Sequence, residues 1–400
     1  MKNTLDRRRF LHGLGALGSA SLLGELSFGR DAAVERSLVL IQLSGGNDGL
    51  STIVPCGDDA YHRARNATHI ATEDVLRLDD YRGFHPALER LHTRYSEGGV
   101  GVIQGVGYAD PSRSHFKSMD VWHSASARGR SVGEGWIGRV CRAVYHEDAS
   151  PERVVHIGGN TPYSLFSTLH PPLAMTAPRS YRWIENEDEL GRMSARSETT
   201  TSEATGREAS LRLLRRAMRD AHASSQAIRS AVASYRPHAR YPAQPFADDL
   251  RTAAALIHAG LGTRVVSIEL GGFDTHGDQR NRHDRLMRTL DTGLAAFLED
   301  MEESEVGRET LVVVFSEFGR RVAENASRGT DHGCAGPMLV AGSAVKGGLY
   351  GAHPSLTELD EGDLVYTTDF RSVYASAIEW VFGVDPGVAL NADYSPVRFV

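Results

Sequence analysis

Short continuous apolar runs, each bounded by glycine or polar residues, recur along the chain from residue 37 onwards. Runs of this length without alternation are typical of strands that are buried on both faces, as in parallel sheets. The segments between them place apolar residues at helical spacing. This alternation predicts an α/β fold with a doubly wound, mostly parallel sheet and helices on both faces. The predicted strands are Ser37–Leu43, Val100–Val106, Arg153–Ile157, Arg264–Leu270, Thr310–Phe315 and Pro337–Val340, and the predicted helices include 254–258, 278–297 and 373–381.

One stretch in the middle of the chain breaks this pattern. Residues 194–210 are polar and poor in apolar side chains, which indicates a loop or a linking segment. Residues 207–240 are rich in arginine and alanine and predict the helices of an inserted cap. We therefore expect a variable loop and helical insertion over 190–250 within a single domain that spans 36–400.

The first 35 residues predict an export signal rather than part of the fold. The segment Arg7-Arg8-Arg9-Phe10-Leu11 resembles a twin-arginine signal, with His12 at the position where lysine is usual. The apolar stretch 11–23 is shorter than the ~20 residues that span a bilayer. These features predict the twin-arginine export machinery as a partner, a periplasmic or secreted location, and no stable membrane span in the mature form.

Composition narrows the classes of function. Hydrophobic residues make up 41% and charged residues 24% of the 400 residues, as in ordinary globular proteins. The net charge of −7 provides no global basic field, so we expect no nucleic-acid partner. The three cysteines lack a Cys-x-x-Cys spacing, which argues against a thiolate zinc site. The 17 histidines supply many copies of the commonest metal ligand, so their positions matter more than their number.

Polar side chains follow several of the predicted strands, where the carboxyl ends of an open α/β sheet bind ligands. Carboxylates and imidazoles that converge from separate strands suit a divalent metal, with zinc as first choice and manganese, iron, calcium or magnesium as alternatives. Each residue also has an ordinary structural alternative, such as a turn, a helix cap or an ion pair. The candidate metal ligands are Asp48, Asp274, His276, Glu317 and His332, with His283 as the alternative to His276.

Four segments together carry a family resemblance: the turn 44–49, Gly-Phe-Asp-x-His over 272–276, Phe-Ser-Glu-Phe-Gly-Arg-Arg over 315–321, and Gly-Thr-Asp-His-Gly over 329–333. In this order they resemble an exported family catalogued as a domain of unknown function, number fifteen hundred and one. That family in turn resembles the alkaline-phosphatase-like superfamily, which includes sulfatases, phosphodiesterases and phosphomutases. The resemblance extends from residue 38 to the C-terminal helix.

The superfamily resemblance implies a partial metal site. Asp48 matches the first-strand aspartate that bridges to a second metal, Asp274 matches the aspartate of the first metal site, and His332 matches a late histidine. Where many relatives have Asp-His-Gly, this chain has Glu317 followed by Phe318. Glu317 can replace the carboxylate but Phe318 cannot replace the imidazole, so the second metal loses a ligand.

The resemblance also implies a nucleophile at a helix N-terminus within residues 109–117. Ala109 stands where sulfatases carry the cysteine that becomes formylglycine, which argues against a formylglycine sulfatase. Ser114 is the first candidate and Ser112 the second, with a helix cap as the ordinary alternative for Ser114. Arg113 and Arg320 are candidates to offset charge on an ester substrate.

Taken with these residues, the resemblance predicts an exported metal-dependent hydrolase that acts on a phosphate or sulfate ester, either a small molecule or a glycan ester. The alternative is a non-catalytic periplasmic binding or assembly protein that retains the fold, since Ala109 and Phe318 replace residues that the chemistry of relatives uses. A third interpretation is a metal that is purely structural.

Overall fold

The computed structural model describes residues 35–127, 129, 133–146, 150–176 and 223–400. The predicted export signal and most of the predicted insertion lie outside these described residues. Within the described part of the chain, no helix is long and apolar enough to cross a membrane.

Strands occupy all six predicted positions, and several short strands were not predicted. Thr310–Phe315 is identical to its predicted range, and the other five differ from theirs by one residue at one end or at both ends. The strands are β1 (Ser37–Ser44), β2 (Ile53–Val54), β3 (Leu76–Arg77), β4 (Gly83–Phe84), β5 (Val100–Gly107), β6 (Val154–Ile157), β7 (Leu173–Met175), β8 (Val265–Gly271), β9 (Thr310–Phe315), β10 (Arg320–Glu324), β11 (Thr330–His332), β12 (Gly336–Ala341), β13 (Gly348–Tyr350), β14 (Leu359–Asp360), β15 (Asp363–Leu364) and β16 (Thr368–Asp369).

Within the described residues, nine strands form the central sheet in the order β13-β5-β12-β9-β1-β8-β6-β7, with β16 beside β5. Strand β1 is parallel to both of its neighbours, β8 and β9. Only β12 runs antiparallel to the strands on either side of it. The sheet is therefore mostly parallel, and the predicted fold class is confirmed.

Helices connect the strands and cover both faces of the sheet. The first residues of α4, the long helix α8 and the loops before them lie at the edge where the parallel strands end. The helices of the described residues are α1 (Gly49–Thr52), α2 (Asp59–Ala64), α3 (Glu89–Ser96), α4 (His115–Ser124), α5 (Trp136–Tyr145), α6 (223–234), α7 (Pro245–His258), α8 (Gln279–Glu302), α9 (Glu305–Arg308), α10 (Phe370–Phe382) and α11 (Gly387–Leu390).

Strand β1 shows why the apolar runs do not alternate. Val39 and Ile41 enter a core that contains residues of α7 and α8 on one face of the sheet. Leu38 and Leu40 enter a second core, with residues of α4, α5 and α10, on the other face. Because both faces are covered, six of the eight positions of the strand are buried, and the polar Gln42 and Ser44 are half-buried. This packing fixes the ends of the strands, where the candidate site lies.

Candidate metal centre

The loop between β8 and α8 carries two of the candidate donors, Asp274 and His276. The turn after β1 supports this loop through Gly45, whose φ of +117° lies in the region that favours glycine. A Cβ at Gly45 would come within 2.4 Å of the backbone nitrogen of Asp274. Only glycine therefore lets the two chain segments approach, and their contact positions the Asp274 carboxylate.

His332 comes to the same place from a different element. It ends β11, which pairs antiparallel with β10 and sets Arg320 directly opposite His332. The His332 Nε2 atom lies 3.1 Å from Asp274 Oδ1 and 3.0 Å from His276 Nε2. His276 Nε2 in turn lies 3.0 Å from Asp274 Oδ1. Three donor atoms thus form a triangle with nearly equal sides.

A third imidazole, that of His115, borders this triangle. His115 is the first residue of α4, and its Nε2 atom lies 3.9 Å from Asp274 Oδ2. Its ring centroid is 4.4 Å from that of His332. His115, Asp274 and His332 form a possible metal-binding triad, with one donor atom of each lying within 4.8 Å of the others. We refer to these three residues together with His276 as the donor cluster.

Acceptor groups outside the cluster fix the orientation of its three histidine rings. Each Nδ1 atom faces an oxygen that can only accept a hydrogen bond, a carboxylate or a backbone carbonyl, so a proton on Nδ1 satisfies that oxygen and leaves Nε2 able to bind a metal ion. The three acceptors are Glu317 Oε1 for His115 at 2.8 Å, Asp331 Oδ1 for His276 at 3.2 Å, and the Arg113 carbonyl for His332 at 2.9 Å.

These tautomers provide a test of whether a metal ion fits. The Nε2 atoms of His276 and His332 lie 3.0 Å apart, and with both protons on Nδ1 their lone pairs face the same space, where a bound cation would offset their repulsion. Spacings of this size are those of ligands that share one ion at roughly 2.0–2.1 Å. Imidazole and carboxylate donors suit zinc, manganese and iron. The donor cluster therefore fits a divalent transition metal.

Arg320 keeps the Asp274 carboxylate ionised and in place. Burial raises the pKa of Asp274, but the Arg320 guanidinium and the two neighbouring histidines, His332 and His276, outweigh it and lower the pKa to about 2. The Arg320 guanidinium is fully buried and contacts Asp274 Oδ1 at 2.9 Å. Its remaining hydrogen bonds go to the carbonyl oxygens of Gly45, Gly46, Phe273 and Thr330. Arg320, predicted to offset charge on a substrate, therefore has its N–H groups bonded within the protein.

Arg113, the other predicted charge-offsetting residue, is also engaged within the protein. Its Nε atom donates to Asp363 Oδ2 at 2.6 Å, and its Nη2 atom lies 3.3 Å from Glu361 Oε2. The side chain is thus neutralised by two carboxylates. The backbone carbonyl of Arg113, rather than its side chain, contacts the donor cluster through a hydrogen bond with His332.

Glu317, predicted as a metal ligand, lies behind His115 instead. The side chain is 2% exposed, and Oε1 accepts from His115 Nδ1 at 2.8 Å and from the Gly45 N–H at 2.9 Å. Burial raises the pKa of Glu317, but the hydrogen bond from His115 contributes to a net lowering. The same hydrogen bond raises the pKa of His115. Glu317 therefore orients an imidazole rather than facing the cluster.

Asp48, predicted as a metal ligand, has both carboxylate oxygens bound by groups of the protein. Asp48 is completely buried, and its two oxygens accept from Arg65 at 2.5 and 2.9 Å. Oδ2 also accepts from Ser51 at 2.7 Å and from Gln279 at 2.5 Å. Burial raises the pKa of Asp48, but the Arg65 guanidinium outweighs it and holds the pKa well below its usual range. A guanidinium thus takes the place at Asp48 that a second cation would need.

The sequence left His276 and His283 as alternative metal ligands. His276 contacts Asp274, whereas His283 is buried elsewhere. The His283 Nε2 atom lies 3.2 Å from Asn47 Oδ1, and its ring centroid is 5.4 Å from that of His85. Burial lowers the pKa of His283 to about 4 and that of His85 to about 3. Both rings are therefore neutral at pH 7 in the folded protein.

This burial of His283 predicts a loss of stability in mild acid. The unfolded chain takes up a proton at His283 as the pH falls through about 6.5, while the folded protein does not until about pH 4, so the free energy of unfolding falls between these values. From pH 7 to pH 5 the loss from this one group is about 2 kcal/mol. His283→Gln keeps a donor for Asn47 and should lose about 2 kcal/mol less over this interval, measured by urea denaturation.

The exposed His238 provides the matched control, since His238→Gln should leave the pH dependence as in the wild type. Identical pH dependence of His283→Gln and the wild type would contradict the buried neutral state.

Ser114 and Phe318 both lie next to His115. Ser114 is exposed at the N-cap of α4 and its side chain makes no capping hydrogen bond, whereas the Ser112 Oγ accepts from the Ser114 N–H at 3.3 Å. Phe318 is buried, and its ring lies 4.9 Å from that of His115 and 4.7 Å from that of His332. His115 therefore supplies an imidazole next to the position where the sequence lacks one. His115 was not among the predicted metal ligands, although it lies in the segment 109–117 where the resemblance implies a helix N-terminus beside the site.

The family described as "Protein of unknown function (DUF1501)" matches residues 102–377, more than half of the chain. The chain belongs to this family. The matched range contains the whole donor cluster together with Glu317 and Arg320, and it excludes Asp48. No curated protein matches the chain.

Among solved structures, the chain is similar to a member of the alkaline phosphatase superfamily and to a lipoteichoic acid synthase. A superfamily member from Vibrio parahaemolyticus is 9% identical, with a TM-score of 0.41, over 90% of this chain and 70% of that one. The lipoteichoic acid synthase LtaP from Listeria monocytogenes is 8% identical, with a TM-score of 0.35, over 79% of this chain and 68% of that one. Both similarities are low, so the fold assignment rests on the strand order of this chain.

Proposed function

We propose that this DUF1501 protein is an exported, metal-dependent hydrolase of a phosphate or sulfate ester. The observation that supports the proposal most strongly is the convergence of three Nε2 atoms and one carboxylate in the donor cluster. Zinc is the first choice for the ion, with manganese or iron as alternatives. The twin-arginine pattern at residues 7–12 supports export to the periplasm or beyond.

The chemistry of such an ion is that of a Lewis acid, which polarises an ester oxygen and offsets the charge that develops on it. The protein contributes the positions of the donors. Arg320 holds Asp274 ionised, and Glu317 holds the His115 ring with its Nε2 toward the cluster. Partial exposure of the donors, with Asp274 51% and His276 45% exposed, gives a substrate access to them.

Helix α4 supports the choice of an anionic ester. Its first residue, His115, belongs to the donor cluster, so the N-terminal N–H groups of the helix lie beside that cluster. Backbone N–H groups at a helix N-terminus favour anions. The exposed Ser114 hydroxyl, which makes no cap bond, is the proposed nucleophile, with a water molecule as the alternative. Lys117, exposed in the same turn, is the proposed contact for the charge of the ester.

The state of the two arginines favours a second candidate function, a binding or assembly protein that holds a structural metal. Arg113 and Arg320 are both saturated by groups of the protein, so neither is free to stabilise a transition state. Four protein donors around one ion are also typical of closed structural sites. The binding protein and the hydrolase would hold the same metal centre, but the binding protein would hydrolyse no ester.

Activity on a panel of phosphate monoesters, phosphate diesters and sulfate esters distinguishes the two. We expect hydrolysis of at least one class, its loss on treatment with a chelator, and its return when zinc or manganese is added back. Ser114→Ala should lower kcat by at least about 100-fold if Ser114 is the nucleophile. Ser112→Ala tests the second candidate: its hydroxyl only bonds the Ser114 N–H, so its loss should lower kcat much less than the loss of the Ser114 hydroxyl.

A protein that retains one equivalent of metal but turns over none of these esters would contradict the hydrolase and favour the binding protein. Activity that survives the chelator would contradict the role of the metal. Equal loss in both serine variants would point to disruption of the loop rather than to a nucleophile.

A further inference from the structure

A small hairpin outside the central sheet reaches the loop that carries His115. Strands β14 and β15 are joined by Glu361 and Gly362, both with positive φ, at +50° and +85°. Two such residues in succession form the tight turn that suits a two-residue hairpin. Glu361 lies at the tip of this hairpin and Asp363 directly after it. We call residues 359–364 the clamp hairpin.

The clamp hairpin holds Arg113 with two carboxylates. Asp363 Oδ2 lies 2.6 Å from Arg113 Nε and 2.5 Å from Nη2, and Glu361 Oε2 lies 3.3 Å from Nη2. Asp363 is 1% exposed, and a buried carboxylate is costly unless it is paired. Its other close neighbours are Cys334 Sγ, which donates at 3.3 Å, and Arg321 Nε at 3.6 Å. Arg113 is thus its strongest partner.

Arg113 in turn is joined to two members of the donor cluster. Its carbonyl oxygen accepts the Nδ1–H of His332 at 2.9 Å. His115 lies only two residues further along the chain, so the position of the Arg113 backbone also limits where the His115 ring can lie. A single guanidinium therefore connects the clamp hairpin to two imidazoles that come from different elements.

We propose that Asp363 is a positioning residue for the metal centre, acting through Arg113 on His332 and His115. The inference rests on the proposed metal centre. It extends that centre to the clamp hairpin, which contributes no residue to the donor cluster. Groups that orient metal ligands from outside typically change metal affinity by 10–100-fold. Asp363 acts through one more residue, so the lower end of this range applies.

The test compares metal affinity in the wild type and in Asp363→Asn, which keeps the shape of the side chain and removes its charge. Competition titration of zinc against a chromophoric chelator should show a dissociation constant about 10-fold higher in the variant. The visible absorption of bound cobalt(II), which reports the arrangement of the ligands, should also change. The thermal midpoint of the metal-free protein should stay within a few degrees of the wild type.

Glu379→Gln is the matched control, because it removes one carboxylate of an exposed ion pair, 3.0 Å from Arg398, in helix α10. It should leave zinc affinity and the cobalt spectrum unchanged. If Asp363→Asn does not fold, the double variant Asp363→Asn with Arg113→Gln removes the same link, keeps the backbone carbonyl and leaves no unpaired charge between the two positions, with the same expected 10-fold loss.

Equal affinity and equal cobalt spectra in the wild type and the folded clamp variant would overturn the positioning role while leaving the metal centre intact. A wild-type protein that binds no zinc would instead refute the proposed function itself. An equal loss in Glu379→Gln would also overturn the inference, because it would trace the effect to general charge.

Discussion

Replacing Arg65 by methionine is expected to lower the free energy of unfolding by about 3–5 kcal/mol, the range for breaking a buried ion pair by removing one partner. The Arg65 guanidinium is fully buried, and with it removed the Asp48 carboxylate would remain in the interior without a compensating charge. Two backbone carbonyls, those of Arg321 and Val322, would also lose their donors. Urea denaturation of the two proteins at pH 7 measures the difference.

A double variant separates the charge from the packing. Asp48→Asn combined with Arg65→Met leaves no unpaired charge and keeps an acceptor for Ser51 and Gln279. It should therefore be more stable than Arg65→Met alone. A loss below about 1 kcal/mol in the single variant would contradict the structural role of this pair and reopen the assignment of Asp48 as a metal ligand.

Asp274→Asn is expected to reduce zinc affinity by at least about 100-fold, since it removes the only carboxylate of the donor cluster. The variant keeps the size of the side chain and an acceptor for Arg320, so the fold should persist. Competition titration against a chelator measures the affinity.

Asp278→Asn is the matched control four residues away, because Asp278 is 75% exposed and pairs with Arg328. The zinc affinity of Asp278→Asn should equal that of the wild type. Unchanged zinc binding in Asp274→Asn would place the metal elsewhere and contradict the donor cluster.

The sequence predicted best those features that depend on a single strand or a single loop. Continuous apolar runs predicted the long strands because burial on both faces requires apolar side chains at every position. Asp274 and His276 were predicted as donors because both follow a strand directly in one short loop. The short hairpins, such as β10–β11, carry polar residues and depend on tertiary pairing, so no apolar pattern predicts them.

Roles that depend on contacts distant in the sequence could not be predicted. Asp48 has the right type and position for a ligand, and only the fold shows that Arg65 reaches it from 17 residues away. Glu317 stands directly after a strand, yet it faces His115, which is 202 residues away in the sequence. In both cases the residue type was compatible with two roles, and the partner delivered by the fold decides between them.

The most direct measurement of the central claim is the zinc titration of the wild-type protein after chelator treatment and removal of the chelator. The donor cluster predicts one tightly bound equivalent per chain, since Arg65 fills the place of a second cation beside Asp48. Binding of less than about 0.3 equivalent of zinc, manganese or iron would contradict the metal centre, and two tight equivalents would contradict the role of Arg65.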